Sequence, residues 1–288
     1  MKAGNILTAN ACLQTIRSYY SSLSDKEKKV ADYILSAPDQ AVYFSISELA
    51  EASGVADATV SRFSKRLGYK GFQDLKISLA RQIVKEEANI HESISLQDDV
   101  GTLASKIFTE HKRAMDDTLA LLNEETLQQV AEVITKSERI DLYGSGGSGV
   151  VAEDAYHKFM RFGIPIQAFS DSHQQMMSAS LLSKGSTAIG ISNSGSNRDV
   201  VDALKTAKAA GATTIAISGH TSSPLTKTAD YTLTTSARES LFRLEAMASR
   251  MVQLALIDVL YVFAALQLKD TTLTNLDKIR ESIATKRY

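Results

Sequence analysis

Residues that cross-link or stiffen a chain are scarce here. Cys12 is the single cysteine in 288 residues, so no intramolecular disulfide can form, and a reducing compartment such as the cytoplasm is expected. Tryptophan is absent and there are three prolines. No uninterrupted apolar run reaches the length of a membrane span, and residues 1–25 lack the apolar block of a signal peptide. Neither sign of charge dominates, the net charge being −1 at pH 7. No Gly-Lys-Ser/Thr phosphate loop occurs, which argues against nucleotide hydrolysis. Five scattered histidines (His91, His111, His157, His173, His220) form no metal-ligand spacing with cysteine or carboxylates, so neither a metal nor another cofactor is expected. His173 and His220 follow strand ends; the other three read as surface or packing residues.

The near-zero charge hides an asymmetry. Residues 1–85 hold 12 Lys and Arg against 8 Asp and Glu, and the remainder holds 20 against 25. Between 57 and 81 stand Arg62, Lys65, Arg66, Lys70, Lys76 and Arg81 against Asp57 and Asp74, a local basic patch suited to a phosphate backbone. The patch coincides with Ile46-Ser47-Glu48-Leu49-Ala50-Glu51-Ala52-Ser53-Gly54-Val55-Ala56-Asp57-Ala58-Thr59-Val60-Ser61-Arg62-Phe63, which reads as two short helices joined by a glycine turn. Leu49, Ala50, Val55, Val60 and Phe63 fall where such a unit buries apolar side chains. Gly54 stands where the turn needs a left-handed residue. The second helix is expected to turn Ala58, Thr59, Ser61, Arg62, Lys65 and Arg66 outward, with Lys70 just beyond, while Val60, Phe63 and Leu67 face inward. Such a surface suits the major groove of operator DNA.

Residues 1–85 read as all helix. Ser24-Asp25-Lys26-Glu27 has the form of a capping box, Val30, Ile34 and Leu35 continue that helix, and Pro38 stops it. Ser45 or Ser47 starts the next helix, Asp57 is placed to cap the one after, Gly68 and Gly71 end it, and Phe72–Val84 is amphipathic. Residues 86–100 are polar and read as a linker. Helices are expected over 102–122 and 126–135, then the texture turns α/β. Strands at 140–143, 164–169, 187–191, 213–217 and 231–234 alternate with helices to about 162, over 172–182 and over 198–210, which predicts a doubly wound parallel sheet in 101–288. A helix over roughly 240–267 carries more apolar residues than one narrow core stripe needs, which fits either a part of it at a subunit contact or a helix buried within its own domain, with a shorter helix near 273–284.

Two loops carry the chemistry. Gly144-Ser145-Gly146-Gly147-Ser148-Gly149 and Ser192-Asn193-Ser194-Gly195-Ser196 each leave the carboxyl end of a strand and open a helix. Glycine lets backbone N–H groups approach a ligand, serine adds hydroxyl donors, and a helix N-terminus adds partial positive charge. Together they predict a cradle for a phosphate monoester. The first loop also contains Gly144-x-Gly146-x-x-Gly149, a dinucleotide spacing, but no acidic residue ends the second strand cleanly, Asp171 only coming near it.

Taken together, Leu23–Leu35, Ala58-Thr59-Val60-Ser61-Arg62-Phe63, Gly68–Lys76, Gly144–Ser148 and Ser192–Ser196 resemble, in order and spacing, the bacterial RpiR-type regulators. The resemblance covers essentially the whole chain. It implies an all-α helix-turn-helix domain over 1–85 and a flavodoxin-like, doubly wound SIS (sugar isomerase) domain over 101–288. It further implies a DNA-binding regulator of sugar metabolism, responsive to a phosphorylated sugar and acting as a homodimer or homotetramer without a membrane. Ser145, Ser148, Ser192 and Ser194 would hold the phosphate. Asn197 stands where many SIS loops have threonine, and Ser196 offers a substitute hydroxyl. Glu239 occupies the position of the isomerases' glutamate base, which implies a place at the phosphosugar site, and equally reads as a carboxylate stabilising a helix N-terminus. The same resemblance admits an alternative, a phosphosugar aldose–ketose isomerase with an accessory helical domain.

Overall fold

A computed structural model describes residues 12–87, 95, 97–237, 247–284 and 286. They divide into two compact units, the chain passing from one to the other at Lys106–Ile107. Of the linker expected at 86–100, residues 88–94 and 96 lie outside the described residues.

The first unit is helical: α1 (Cys12–Tyr19), α2 (Asp25–Ser36), α3 (Pro38–Ala41), α4 (Ile46–Ala52), α5 (Asp57–Arg66) and α6 (Phe72–Glu87). Two Ser-x-x-Glu boxes set the helix starts. The Ser24 backbone N–H and hydroxyl donate to Glu27 at 2.9 and 2.7 Å. The Ser45 N–H donates to Glu48 at 2.8 Å, and the Glu48 N–H returns to the Ser45 hydroxyl at 3.1 Å; each box satisfies amides that the first turn leaves unpaired. Pro38, with no N–H to lose, opens α3. Val30, Ile34, Leu49, Val60, Phe63, Leu67, Leu75 and Leu79 meet in one core, with Val55 packed at its edge.

The second unit begins within α7 (Val100–Leu121), followed by α8 (Glu124–Lys136) and five strands: β1 (Arg139–Gly144), β2 (Ile166–Phe169), β3 (Ser186–Ile191), β4 (Thr213–Ser218) and β5 (Tyr231–Thr234). Helices α9 (Gly147–Phe159), α10 (Ser172–Ser180) and α11 (Arg198–Ala209) alternate with them, and α12 (Met247–Gln267) and α13 (Lys269–Ala284) close the chain. All pairings are parallel, in the order β2-β1-β3-β4-β5. β3 is buried throughout because helices cover both faces. Ile140, Leu142, Ile189, Ile191, Ile215 and Ile217 pack with α8, α9 and α12 on one face. The alternate residues Tyr143, Ala188 and Ala216 pack with α10 and α11 on the other.

α12 is long and apolar enough to cross a membrane by length and composition, with mean hydropathy 1.6. Val252, Leu256, Ile257, Leu260 and Ala264 lie in the core of this unit, and Asp258 pairs with Lys158 of α9 at 2.6 Å. The apolar residues thus divide between a core face and an exposed stripe of Met251, Val259, Val262, Phe263 and Leu266. The portion expected over 240–246 lies outside the described residues.

Candidate functional sites

In the first unit, α4 and α5 are joined through Ser53-Gly54-Val55, with Gly54 at φ +64 as the turn demands. Ala58, Arg62, Lys65, Arg66 and Lys70 are exposed and Ser61 half-exposed. Thr59 departs from expectation, being only 3 % exposed. It stands one helical turn before Phe63, so the i, i+4 relation carries it onto the inward face. Asp57 is not the cap either. That position falls on Ala56, and the Asp57 carboxylate instead accepts the Ser47 hydroxyl, tying the start of α5 to α4. The guanidinium of Arg66 is committed within the unit, Nη1 donating to Glu27 at 2.8 Å.

In the second unit, the order β2-β1-β3 places the reversal of strand order between β1 and β3, where a doubly wound sheet opens a crevice at its carboxyl edge. A cleft of about 240 Å³ lies there, lined by Ser145, Gly147, Ser148, Ile191, Ser192, Asn193, Ser194 and Asn197. Backbone shape holds it open. A side chain on Gly144 would meet the Ser148 carbonyl at 2.5 Å, and Gly195 has φ +58 with Ser218 and Ser223 packed behind it. The N-termini of α9 and α11 both start at this edge, each equivalent to roughly half a positive charge. Every described lining side chain is neutral, so an anion there would be held by hydroxyls, amides and helix dipoles.

Of the expected residues, Ser145, Ser148, Ser192, Ser194 and Asn197 line the cleft. Asn197 also caps α11, its Oδ1 accepting the Val200 N–H at 3.1 Å, which leaves the side-chain amide as the donor it can turn toward a ligand. Ser196 is not at the lining. It is exposed, and its hydroxyl donates to the Ser194 carbonyl at 3.1 Å because the turn at Gly195 points it away. Glu239 lies outside the described residues. His173 and His220 do not line the cleft. Two contributors went unread in the sequence. Asn193 belongs to the loop and was passed over between its serines. Gln175 is fully buried on α10, and its amide nitrogen donates to the Gly144 and Phe169 carbonyls at 3.2 and 3.0 Å, binding the carboxyl ends of β1 and β2; no local pattern marks such a glutamine.

A larger hollow, about 310 Å³, opens at the amino edge of the sheet beside Lys136, Ser186, Thr213 and Tyr231. Helix α8 ends there, its dipole presenting negative charge, so the smaller cleft at the carboxyl edge is the better anion site.

Comparison with known proteins places these features in a family. Residues 10–86 match the helix-turn-helix domain of the rpiR family, and residues 133–263 match the SIS domain. An HTH-type transcriptional regulator of Caldanaerobacter subterraneus subsp. tengcongensis is 44 % identical over 253 residues, covering 88 % of this chain and 90 % of that protein. HexR, an HTH-type transcriptional regulator of Pseudomonas aeruginosa, is 32 % identical over 276 residues, 96 % of each chain. Among solved structures, Vibrio vulnificus NanR complexed with ManNAc-6P superposes with a TM-score of 0.85 at 24 % identity, over 96 % of this chain and 100 % of that one. The sugar isomerase domain of an RpiR transcription factor from Sphaerobacter thermophilus gives 0.57 at 22 % identity, over 62 % and 98 %. The chain therefore belongs to the rpiR family of helix-turn-helix proteins, with a SIS domain as its second unit.

Proposed function

We propose that this chain is a transcriptional regulator whose grip on operator DNA changes when a sugar phosphate binds the SIS cleft. The observation that carries the effector half is the cleft itself: two serine-rich loops and two helix N-termini converge at the β1/β3 reversal. The phosphate would be held by Ser145, Ser148, Ser192, Ser194 and the amide of Asn197. The DNA half rests on α5, with Ala58, Ser61, Arg62, Lys65 and Lys70 as the groove-facing or phosphate-facing set. The relatives' names support regulation, and NanR supplies a precedent for a phosphorylated amino sugar in this fold.

The chain would work as a homodimer or higher homo-oligomer in the cytoplasm, with the exposed apolar stripe of α12 as the surface to be covered by a second copy. Two α5 helices would then read half-sites about one DNA turn, or a multiple of it, apart. An effector that prefers one arrangement of the pair shifts DNA affinity by its differential binding, about 1–3 kcal/mol in typical couplings. The second reading, an aldose–ketose isomerase, draws on isomerases among the fold's neighbours, such as one from Listeria monocytogenes with a TM-score of 0.54.

One experiment separates the readings. The protein is screened against phosphorylated sugars by thermal shift, and hits are added to the protein–operator complex. Ser192→Ala with Ser194→Ala is expected to abolish both the thermal shift and the effector response while basal DNA binding persists. Arg62→Ala is expected to weaken DNA binding and leave the shift intact. Steady turnover of any hit, with no effect on DNA binding, would establish the isomerase reading instead.

A further inference from the structure

Arg66 closes α5 and counts formally toward the basic patch, yet its guanidinium is spent on another helix. We infer that Arg66 is a positioning residue, fixing the tilt of α5 so that Arg62 and Lys65 meet DNA, while making no DNA contact itself. The inference rests on the reading of α5 as the DNA-facing helix.

Three donors converge on Glu27. Arg66 Nη1 lies 2.8 Å from Oε2, and the same oxygen accepts the Ser24 N–H at 2.9 Å and the Ser24 hydroxyl at 2.7 Å. One carboxylate thus joins the first turn of α2 to the last turn of α5, across 39 positions of sequence. Glu27 is only 7 % exposed, whereas the Arg66 side chain keeps 45 % of its surface in solvent. A buried carboxylate left without its cation is costly, so the pair is held on the Glu27 side even though the arginine is partly wet. The tether sits at the carboxyl end of α5. The helix ends at Arg66, and Gly68, at φ +93, turns the chain away two residues later. Phe63 and Leu67 anchor the inner face of this turn, and the charge-assisted bond from Arg66 adds a directed contact to α2 beside them. Paired with a carboxylate, the Arg66 guanidinium presents less net positive charge to a phosphate than an unpaired one would. Arg62 and Lys65, exposed one turn earlier and beside it, remain to present theirs.

Glu27→Gln makes the test clean, because glutamine also serves as the third residue of a capping box, so the charge is removed and the cap retained. The full chain and a duplex selected from a random pool by the wild-type protein are used. Glu27→Gln and Arg66→Gln are each expected to weaken binding about threefold to tenfold, and the double variant no further than either single. The slope of log affinity against log salt should stay at the wild-type value in all three, whereas Arg62→Gln lowers it by about 0.9, one phosphate contact. Hydrogen exchange in α5 should rise equally in Glu27→Gln and Arg66→Gln. If Glu27→Gln binds as well as wild type or better, while Arg66→Gln loses about 0.9 of slope, Arg66 is a phosphate contact and the inference is overturned. If Arg62→Gln also leaves the slope untouched, α5 is not the DNA face and both readings fail.

Discussion

At the scale of single residues, the glycines of the two loops are not interchangeable, and the structure ranks them. Gly195 combines φ +58 with Ser223 pressed against the position a Cβ would take, whereas Gly147 has no positive φ and nothing within 4 Å of its Cβ position. Gly195→Ala is therefore expected to destabilise the SIS unit by about 1–2 kcal/mol from the left-handed backbone and about 1–3 kcal/mol more from overpacking. Gly147→Ala should leave the unfolding midpoint nearly unchanged and still impair phosphate binding, because the methyl group enters the cleft. Calorimetry and a titration with inorganic phosphate or a sugar phosphate check both. The glycine and serine positions were legible in the sequence because their spacing encodes backbone shape. The partners were not. Thr59 reads as outward until its i+4 relation to Phe63 is enforced by packing. Ser196 reads as a ligand donor until the turn aims it elsewhere. Asp141, fully buried in β1, gave no sign that Arg139 would reach it with two hydrogen bonds at 2.9 and 2.8 Å, with Ser178 and Tyr143 beside it. Such pairs depend on which elements the fold brings together.

At the scale of elements, legibility follows how local the signal is. The Ser24–Glu27 box, complete within four residues, forms as read, and of Ser45 and Ser47 it is Ser45 that caps α4, through a second box with Glu48 that went unread in the sequence. The strands, short apolar runs bounded by turn residues, begin and end within two residues of their expected limits. The start of α5 is less local, because Asp57 had two ways to be satisfied and took the one across the turn. The first box has a pH consequence. Burial alone would raise the Glu27 carboxyl, but hydrogen bonds from Ser24 and the Arg66 guanidinium outweigh it and hold the group below the usual glutamate range. A carboxyl lowered on folding stabilises fully above its unfolded pKa of about 4.3, and that stabilisation disappears as pH falls through the lower, folded value. The gap in thermal midpoint between wild type and Glu27→Gln is accordingly expected to be constant from pH 5 to 7 and to close steadily below about 4.3. Calorimetry over that range measures it, and a gap that widened on acidification would contradict the assigned ion pair.

At the scale of the whole molecule, the two units divide the labour that composition only hinted at, a basic helical unit in a chain that is slightly acidic overall. Under the proposed function neither unit would regulate alone, because an anion in the SIS cleft would influence DNA only through an assembly with two arrangements of unequal affinity. The exposed stripe on α12 is the feature that could build that assembly. Met251, Val262 and Leu266 recur at helical spacing on the side away from the core residues Ile257 and Leu260, and the half-exposed Val259 and Phe263 widen the stripe toward Leu256. Asp258 also sits on this helix, paired with Lys158 of α9, so a lipid-facing role would leave charges in hydrocarbon, whereas a protein interface tolerates them at its rim. The double variant Val262→Glu, Leu266→Lys should therefore sediment as a smaller species at micromolar concentration without losing its fold, since both side chains are already solvent-exposed. Its thermal response to sugar phosphate should survive, because neither Val262 nor Leu266 lines the cleft. Its affinity for a two-half-site operator should fall by about a hundredfold or more, the effective-concentration gain of a second linked reading head being lost, while affinity for an isolated half-site stays unchanged. Sedimentation velocity beside binding to whole and half operators reads all three, and an unaltered sedimentation coefficient would move the subunit contact to another face of the SIS unit.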